Sequence, residues 1–180
     1  MQKARTVFRI FALVAAQFLI LWAMLYAFLQ AAYPMRYKGI VERYASEFDV
    51  ESGLIYSIMK NESGFSEKAV SDKNAVGLMQ ITPSTAEWIS EKINETDYCL
   101  SDPDVNIRFS CWYISYLCKT FGSVETAVAA YNAGEGNVKK WLNDGRYSFD
   151  GKSLSVIPFG ETEKYVKNVM SSYKIYNKLY

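Results

Sequence analysis

The sequence predicts a mainly α-helical domain behind one long apolar N-terminal segment, and three observations carry that reading. Residues 10–35 contain no charged side chain, and residues 10–29 are almost continuously apolar. Downstream, Thr82-Pro83 and Asp102-Pro103 each place a capping side chain directly before a proline. That order opens a helix, because proline's fixed φ suits the first turn and its missing N–H is not needed there. No stretch alternates apolar and polar residues with the period of two that a half-buried strand requires, and no internal repeat is visible.

At about 1.5 Å per residue, the apolar stretch reaches the roughly 30 Å thickness of a bilayer core. Lys3, Arg5 and Arg9 precede it and no acidic residue does, which keeps the N-terminal end in the cytoplasm. The expected organisation is a short basic cytoplasmic end over residues 1–9, a transmembrane anchor over 10–32 and a folded domain over 36–180. A cleaved signal peptide is the competing reading, since Gln30-Ala31-Ala32 supplies small residues near a cut site. The apolar core of such a peptide runs only about 7–15 residues, and this one is longer, so a retained anchor is favoured. A buried core helix is a third reading, which the uncharged length and basic flank disfavour. With almost no spacer after residue 32, the folded domain is expected close to the membrane surface.

Within that domain, Asp49 is expected to cap a helix running to residue 60 or 62, with Leu54, Ile55, Ile58 and Met59 on its apolar face. Residues 64–80 read as an irregular loop, because Gly64 and Gly77 break helices and Asn74 tolerates a left-handed backbone. Thr82 and Pro83 then open a helix to about residue 93, and Asp102 and Pro103 open a long amphipathic one to about 121. Ser123 caps a helix ending at Asn132, where Gly134 stops it. A short helix over 137–143 ends at Gly145, residues 146–160 are loop, and 161–178 form the closing helix.

Without the N-terminal segment, which carries three of the 20 basic residues and none of the 19 acidic ones, the balance is 17 against 19. No basic face points to nucleic acid, and no run of like charge points to a disordered tail. There is no histidine and no zinc-type cysteine spacing, so neither metal nor cofactor chemistry is expected. Cys111 and Cys118 fall on one predicted helix, about 10 Å apart along its axis, too far to bridge. Only Cys99 is left to pair with either, and three free thiols is an equal alternative.

Glu62 carries the clearest chemical signal. It closes a predicted helix, and counting back by four and seven reaches Ile58 and Ile55, so its side chain starts on the apolar face. Desolvation disfavours the carboxylate, and the negative end of the helix dipole acts in the same direction. Both effects suit a carboxyl that must hold a proton near neutral pH and deliver it to a leaving oxygen. By itself a Glu at a helix end is more often a solvated surface group. Three further blocks change that weighting: Gly77-Leu78-Met79-Gln80, Ala130-Tyr131-Asn132-Ala133-Gly134, and the segment from Ile157-Pro158-Phe159-Gly160-Glu161 to Tyr165-Val166.

In that order, behind Asn61-Glu62-Ser63-Gly64-Phe65, these blocks resemble the lytic transglycosylases of the soluble type, across residues 36–180. The resemblance implies a lysozyme-like helical fold of the goose-type lysozyme and lytic transglycosylase kind, and cleavage of the MurNAc-β-1,4-GlcNAc bond of peptidoglycan. It implies Glu62 as sole general acid and base, first protonating the leaving group and then activating the sugar's own C6 hydroxyl to close a 1,6-anhydro ring. Most glycosidases use two carboxylates; here Asp72 and Glu161 are the nearest candidates, and neither stands at a persuasive spacing. The resemblance also assigns supporting roles. Ser71 orients the N-acetyl group, Gln80 reaches into the glycan groove, Tyr131 and Asn132 contact sugar, and Glu161 and Tyr165 belong to the last block, where the tyrosine supports the carboxyl. Outside the resemblance, Tyr131 and Tyr165 read more simply as core aromatics.

Two positions depart from the family pattern: Asn74 stands where glycine is frequent, and Thr82 where methionine is frequent after the Gln-Ile pair. Neither removes a group needed for proton transfer. The implied partners are glycan strands, the cytoplasmic membrane through residues 10–32, and, as a candidate, a wall-spanning protein complex. The leading expectation is thus a single-pass enzyme with its domain on the extracytoplasmic side. A muramidase using water as acceptor is the enzymatic alternative, and a glycan-gripping scaffold of a secretion, conjugation or sporulation complex is the alternative from another class.

Overall fold

The computed structural model describes residues 2–180. Among them the regular structure is eight α-helices, and the only β pairing is two isolated bridges, Val70 with Val76 and Val76 with Ile81. The chain divides into an N-terminal helical unit and a second unit that begins at Met35.

The first unit is α1, Gln2–Ala32. Its Phe8–Ala32 segment is long and apolar enough to cross a membrane by length and composition, with a mean hydropathy of 2.2. Phe11, Leu13, Phe18, Leu21 and Phe28 along it are all exposed.

The second unit holds α2 (Lys38–Glu47), α3 (Ser52–Glu62), α4 (Pro83–Ile93), α5 (Pro103–Phe121), α6 (Val124–Ala133), α7 (Glu135–Leu142) and α8 (Gly160–Leu179). The long α5 is central and packs against α2, α4 and α6. Ile107, Phe109 and Leu117 from α5 are fully buried, alongside Val41 of α2, Ile55, Ile58 and Met59 of α3, Ile89 of α4 and Val169 of α8. Each such side chain contributes about 1.5–3 kcal/mol by leaving water. On α6 the buried positions are Thr126 to Ala130, with alanine at three of them, so this helix lies close to α5 with little side chain between.

The capping signals act as the sequence predicts at three helices. Thr82 Oγ1 accepts from the Thr85 N–H, an Asp102 carboxylate oxygen accepts from the Asp104 N–H, and Ser123 Oγ accepts from the Thr126 N–H. Asp49 does not cap α3. It sits in the left-handed region at φ 57°, in the turn between α2 and α3, and Glu51 is the residue before the first turn. Aspartate tolerates that backbone because its short polar side chain bonds locally. Further boundaries shift by one or two residues: α6 runs one residue past Asn132, α7 is Glu135–Leu142 rather than 137–143, and α8 is Gly160–Leu179 rather than 161–178. Cys99, Cys111 and Cys118 are all free thiols.

Candidate active site

Glu62 is the last residue of α3, and the chain leaves the helix through Gly64 and Phe65, both left-handed at φ 58° and 70°. The turn takes the backbone away so that the Glu62 side chain stays at the helix end above buried Ile55 and Ile58. Residues 63–82 then fold back as an irregular loop with three more left-handed residues, Asn74, Gly77 and Gln80. Asn74 occupies such a position at φ 57°, so asparagine there serves the backbone that glycine more often supplies.

The loop is tied at several points. Ser63 Oγ donates to the Leu78 carbonyl at 2.7 Å, linking the residue after Glu62 to the second sequence block. Asn106 of α5, 1% exposed, is the main anchor. Its Nδ2 donates to the Val76 and Leu100 carbonyls at 3.0 and 2.9 Å, and its Oδ1 accepts from the Met79 N–H at 2.8 Å. Gly77 lies against this side chain: a Cβ there would sit 2.7 Å from Asn106 Nδ2, which only glycine avoids.

A cleft of about 320 Å³ opens beside the loop, lined by Glu62, Ser71, Asp72, Lys73, Ala75, Gln80, Thr82, Tyr131, Asn132 and Glu161. Of the residues singled out from sequence, all but Tyr165 line it, and Tyr165 touches it through Glu62: its Oη donates to Glu62 Oε1 at 2.6 Å. Burial pushes the Glu62 carboxyl up to about 7, and the Tyr165 hydrogen bond, the weaker effect, pulls it back down. A carboxyl poised there carries a proton over the acid half of the physiological range and is a usable base over the other half.

The remaining groups are more committed to the protein than sequence alone suggests. Tyr131 Oη donates to the Met79 carbonyl at 2.8 Å and lies 3.3 Å from Ser110 Oγ. Burial, with the Glu62 charge next in effect, raises the phenols of both Tyr131 and Tyr165, so each remains a proton donor. Gln80 Nε2 donates back to the Ala69 and Gly77 carbonyls, at 3.1 and 2.9 Å, bracing its own turn. Asn132 Oδ1 accepts from Thr162 Oγ1 at 2.7 Å, joining the third block to the last. Ser71 Oγ accepts from the Ala75 N–H at 3.1 Å, which leaves its own proton to donate into the cleft. Asp72 and Glu161 line the cleft as exposed side chains with no hydrogen bond among the described residues.

Sequence reasoning missed Asn106. Its one trace is that it is the only amide on the buried face of α5, next to Ile107 and one turn before Ser110. It also missed Tyr37, whose Oη donates to Glu67 Oε1 at 2.6 Å, and Arg36, whose guanidinium stands 6.0 Å from the centre of the Phe65 ring. Both residues precede α2 and both grip the segment that follows Glu62. No group of three or more His, Cys, Asp or Glu side chains among the described residues is arranged to hold a metal ion.

Comparison with known proteins places this arrangement. The family model for the transglycosylase SLT domain matches residues 39–152, which include Glu62, the 77–80 turn and the Tyr131-Asn132 pair. The chain is 35% identical over 149 residues to the soluble lytic murein transglycosylase of Salmonella typhimurium, covering 79% of this chain and 23% of that protein. It is 29% identical over 172 residues to the membrane-bound lytic murein transglycosylase C of Yersinia pestis, covering 79% of this chain and 47% of that one. The solved structure of an inactive mutant of the lytic transglycosylase Slt from Pseudomonas aeruginosa superposes with a TM-score of 0.74 at 38% identity, over 83% of this chain and 25% of that one. The chain therefore spans about a quarter to a half of the length of the relatives it matches. Its all-helical, lysozyme-like arrangement and its matched sequence blocks agree, and the chain belongs to the transglycosylase SLT domain family.

Proposed function

We propose that this protein is a membrane-anchored peptidoglycan lytic transglycosylase, with Glu62 as its single general acid and base. The observation that carries the reading is the Glu62 carboxyl itself, closing a helix over an apolar core, held by Tyr165 and raised to about 7 by burial.

In the proposed reaction Glu62, protonated, donates to the oxygen between MurNAc and GlcNAc as the C1–O bond breaks. The muramic N-acetyl carbonyl oxygen closes on C1 and takes up the developing positive charge, with the Ser71 hydroxyl available to orient that group. Glu62, now ionised, accepts the proton of the C6 hydroxyl while O6 attacks C1 and displaces the acetamido oxygen. The product is a 1,6-anhydro sugar, no water is consumed, and Glu62 ends protonated. A second protein carboxylate is not needed. The solvated state of Asp72 and Glu161, without partners that would aim them, is consistent with that.

Residues 10–32 are proposed as the anchor and 36–180 as the catalytic domain on the extracytoplasmic side. Two observations support this: the basic residues Lys3, Arg5 and Arg9 at the N-terminal end of α1, and an apolar run long enough to span a bilayer. A relative named as membrane-bound is consistent with the assignment. Such an enzyme acts on glycan near the membrane, where a wall-spanning complex would need a local gap.

The direct test is Glu62→Gln, which keeps the shape and the bond from Tyr165 but holds no transferable acid proton. Loss of general acid catalysis costs about 10²–10⁴ in rate. Clearing of purified cell walls should fall by that order while the circular dichroism spectrum stays unchanged. Clearing within a factor of about two of the parent would remove Glu62 from the mechanism.

A further inference from the structure

At the opposite end of α3 from Glu62 lies a hollow of about 340 Å³ that the catalytic reading does not use. Its lining includes Lys38 and Glu42 of α2, Ser52, Gly53 and Tyr56 of α3, and Asn177 of α8.

Tyr56 is the informative residue. It is 1% exposed, and its hydroxyl is buried with no hydrogen-bond partner among the described residues. Side chains on a helix lean toward its N-terminus, and Tyr56 stands one turn after Ser52 and Gly53 on the same stripe. Its phenol therefore points into the hollow and away from the Glu62 end. Burial raises that phenol most, followed by Glu42 and then Tyr180, which both belong to the same lining, so the group stays a proton donor. A buried donor without an acceptor is rare in folded proteins and calls for one.

The start of α3 supplies more donors. Glu51, at the capping position, makes no capping bond; its Oε2 accepts from Asn177 Nδ2 at 3.0 Å instead. The N–H groups of Ser52 and Gly53 have no acceptor among the described residues. With the helix dipole behind them, they favour a negatively charged oxygen. The rim carries both signs of charge: Lys38 Nζ and Glu42 Oε1 stand 3.6 Å apart, and both side chains are more than half exposed. An exposed pair at that distance opens at little cost. A bare anion would meet Glu42 as well as the donors, whereas a ligand with one negative and one positive group satisfies both.

Chain length limits what reaches the hollow. Met35, also in its lining, follows the end of α1 at Ala32 by three residues, at most about 11 Å of chain. With residues 10–32 as the anchor, that edge of the hollow is held near the headgroup layer of the bilayer.

We infer that this hollow binds a zwitterionic phospholipid headgroup of the phosphoethanolamine class. The phosphate accepts from Tyr56, Ser52 and the α3 N-terminus, and the ammonium pairs with Glu42. A lipid as the source rests on the anchor proposed above; the donor set of the hollow does not.

The test titrates the full chain in a maltoside detergent, by calorimetry, with glycerophosphoethanolamine, glycerophosphoglycerol and inorganic phosphate. None of these probes carries an acyl chain, so their binding does not depend on residues 10–32. A failed anchor shows separately, as soluble protein after a salt wash. Glycerophosphoethanolamine should bind at least about fivefold more tightly than the other two probes. Tyr56→Phe keeps the ring that stacks on Tyr176 at 5.4 Å and should weaken that binding about tenfold, the range of one hydrogen bond to a charged group. Its melting temperature without probe should not fall, because only an unpartnered hydroxyl is lost. Glu42→Gln, at an exposed position, should abolish the preference over glycerophosphoglycerol. Phosphatidylethanolamine added to the micelles should suppress the heat of glycerophosphoethanolamine binding; undiminished heat would overturn the lipid source. Unchanged affinity in Tyr56→Phe, equal binding of all three probes, or no binding by the parent would each overturn the site.

Discussion

Tyr165 Oη donates a 2.6 Å hydrogen bond to Glu62 Oε1, joining α8 to the end of α3 across 103 residues of sequence. The bond opposes burial in setting the carboxyl's proton affinity, and it fixes which way the carboxyl faces. Tyr165→Phe removes the donor and keeps the ring. The carboxylate then loses its stabilising partner, so the alkaline limb of the kcat/KM profile should move up in pH from about 7, and the plateau rate should fall by about tenfold through lost orientation. A lower plateau with an unmoved limb would mean that Tyr165 only fills space.

The same carboxyl links pH to stability. Its pKa is raised from 4.5 to about 7 in the fold, so the folded state favours the neutral form. The stabilisation from protonated Glu62 is complete below about pH 4.5 and is lost as pH rises through about 7. Glu62→Gln is neutral at every pH and escapes that loss. It should match wild type near pH 4 and exceed it by about 2–3 kcal/mol at pH 8. Thermal denaturation of both proteins across that range checks this; parallel curves would contradict a buried, shifted carboxyl.

Asn106 sets the position of the 76–80 turn without touching the cleft. Asn106→Ala leaves the Met79 N–H and the Val76 and Leu100 carbonyls without their partner. Buried groups left unsatisfied cost about 1–3 kcal/mol each, so the three together predict a loss of at least about 3 kcal/mol, with a fall in melting temperature of at least about 6 °C. A change of under about 1 kcal/mol would show that water or a neighbour replaces the amide.

Local signals were legible in the sequence because their physics is local. Thr82 with Pro83 and Asp102 with Pro103 set the starts of α4 and α5. Glu62's apolar surroundings followed from helical spacing back to Ile58 and Ile55. Where several conformations compete, the reading failed. Asp49 suits a helix cap or a left-handed turn, and here it closes α2, with the Val50 N–H bonded back to the Ala45 carbonyl. The short helix expected from residue 137 starts at Glu135, because Gly134, at φ 88°, has already made the break. Asn106 was invisible for another reason: two of its bonds reach residues 27 and 30 positions away, a relationship that helical spacing does not encode.

The anchor assignment gives a prediction in cells. The full-length protein should sediment with membranes and resist a carbonate or high-salt wash; recovery in the soluble fraction with an N-terminus near Ala32 would show cleavage instead. In vitro, residues 36–180 should cleave soluble glycan as the full chain does. A shorter piece starting at Lys38 loses Tyr37 and its bond to Glu67, as well as Arg36 over Phe65, and should be less active. Equal activity of the two pieces would show that these contacts do not support the segment after Glu62.

The central claim is that Glu62 turns the sugar's own C6 hydroxyl on C1 without water. Mass spectrometry of a peptidoglycan digest made with residues 36–180 tests this most directly. The account predicts muramic ends in the 1,6-anhydro form, lighter by one water than reducing ends, and none from Glu62→Gln. Reducing ends alone from the active protein would contradict it and assign the chain a water-using muramidase reaction.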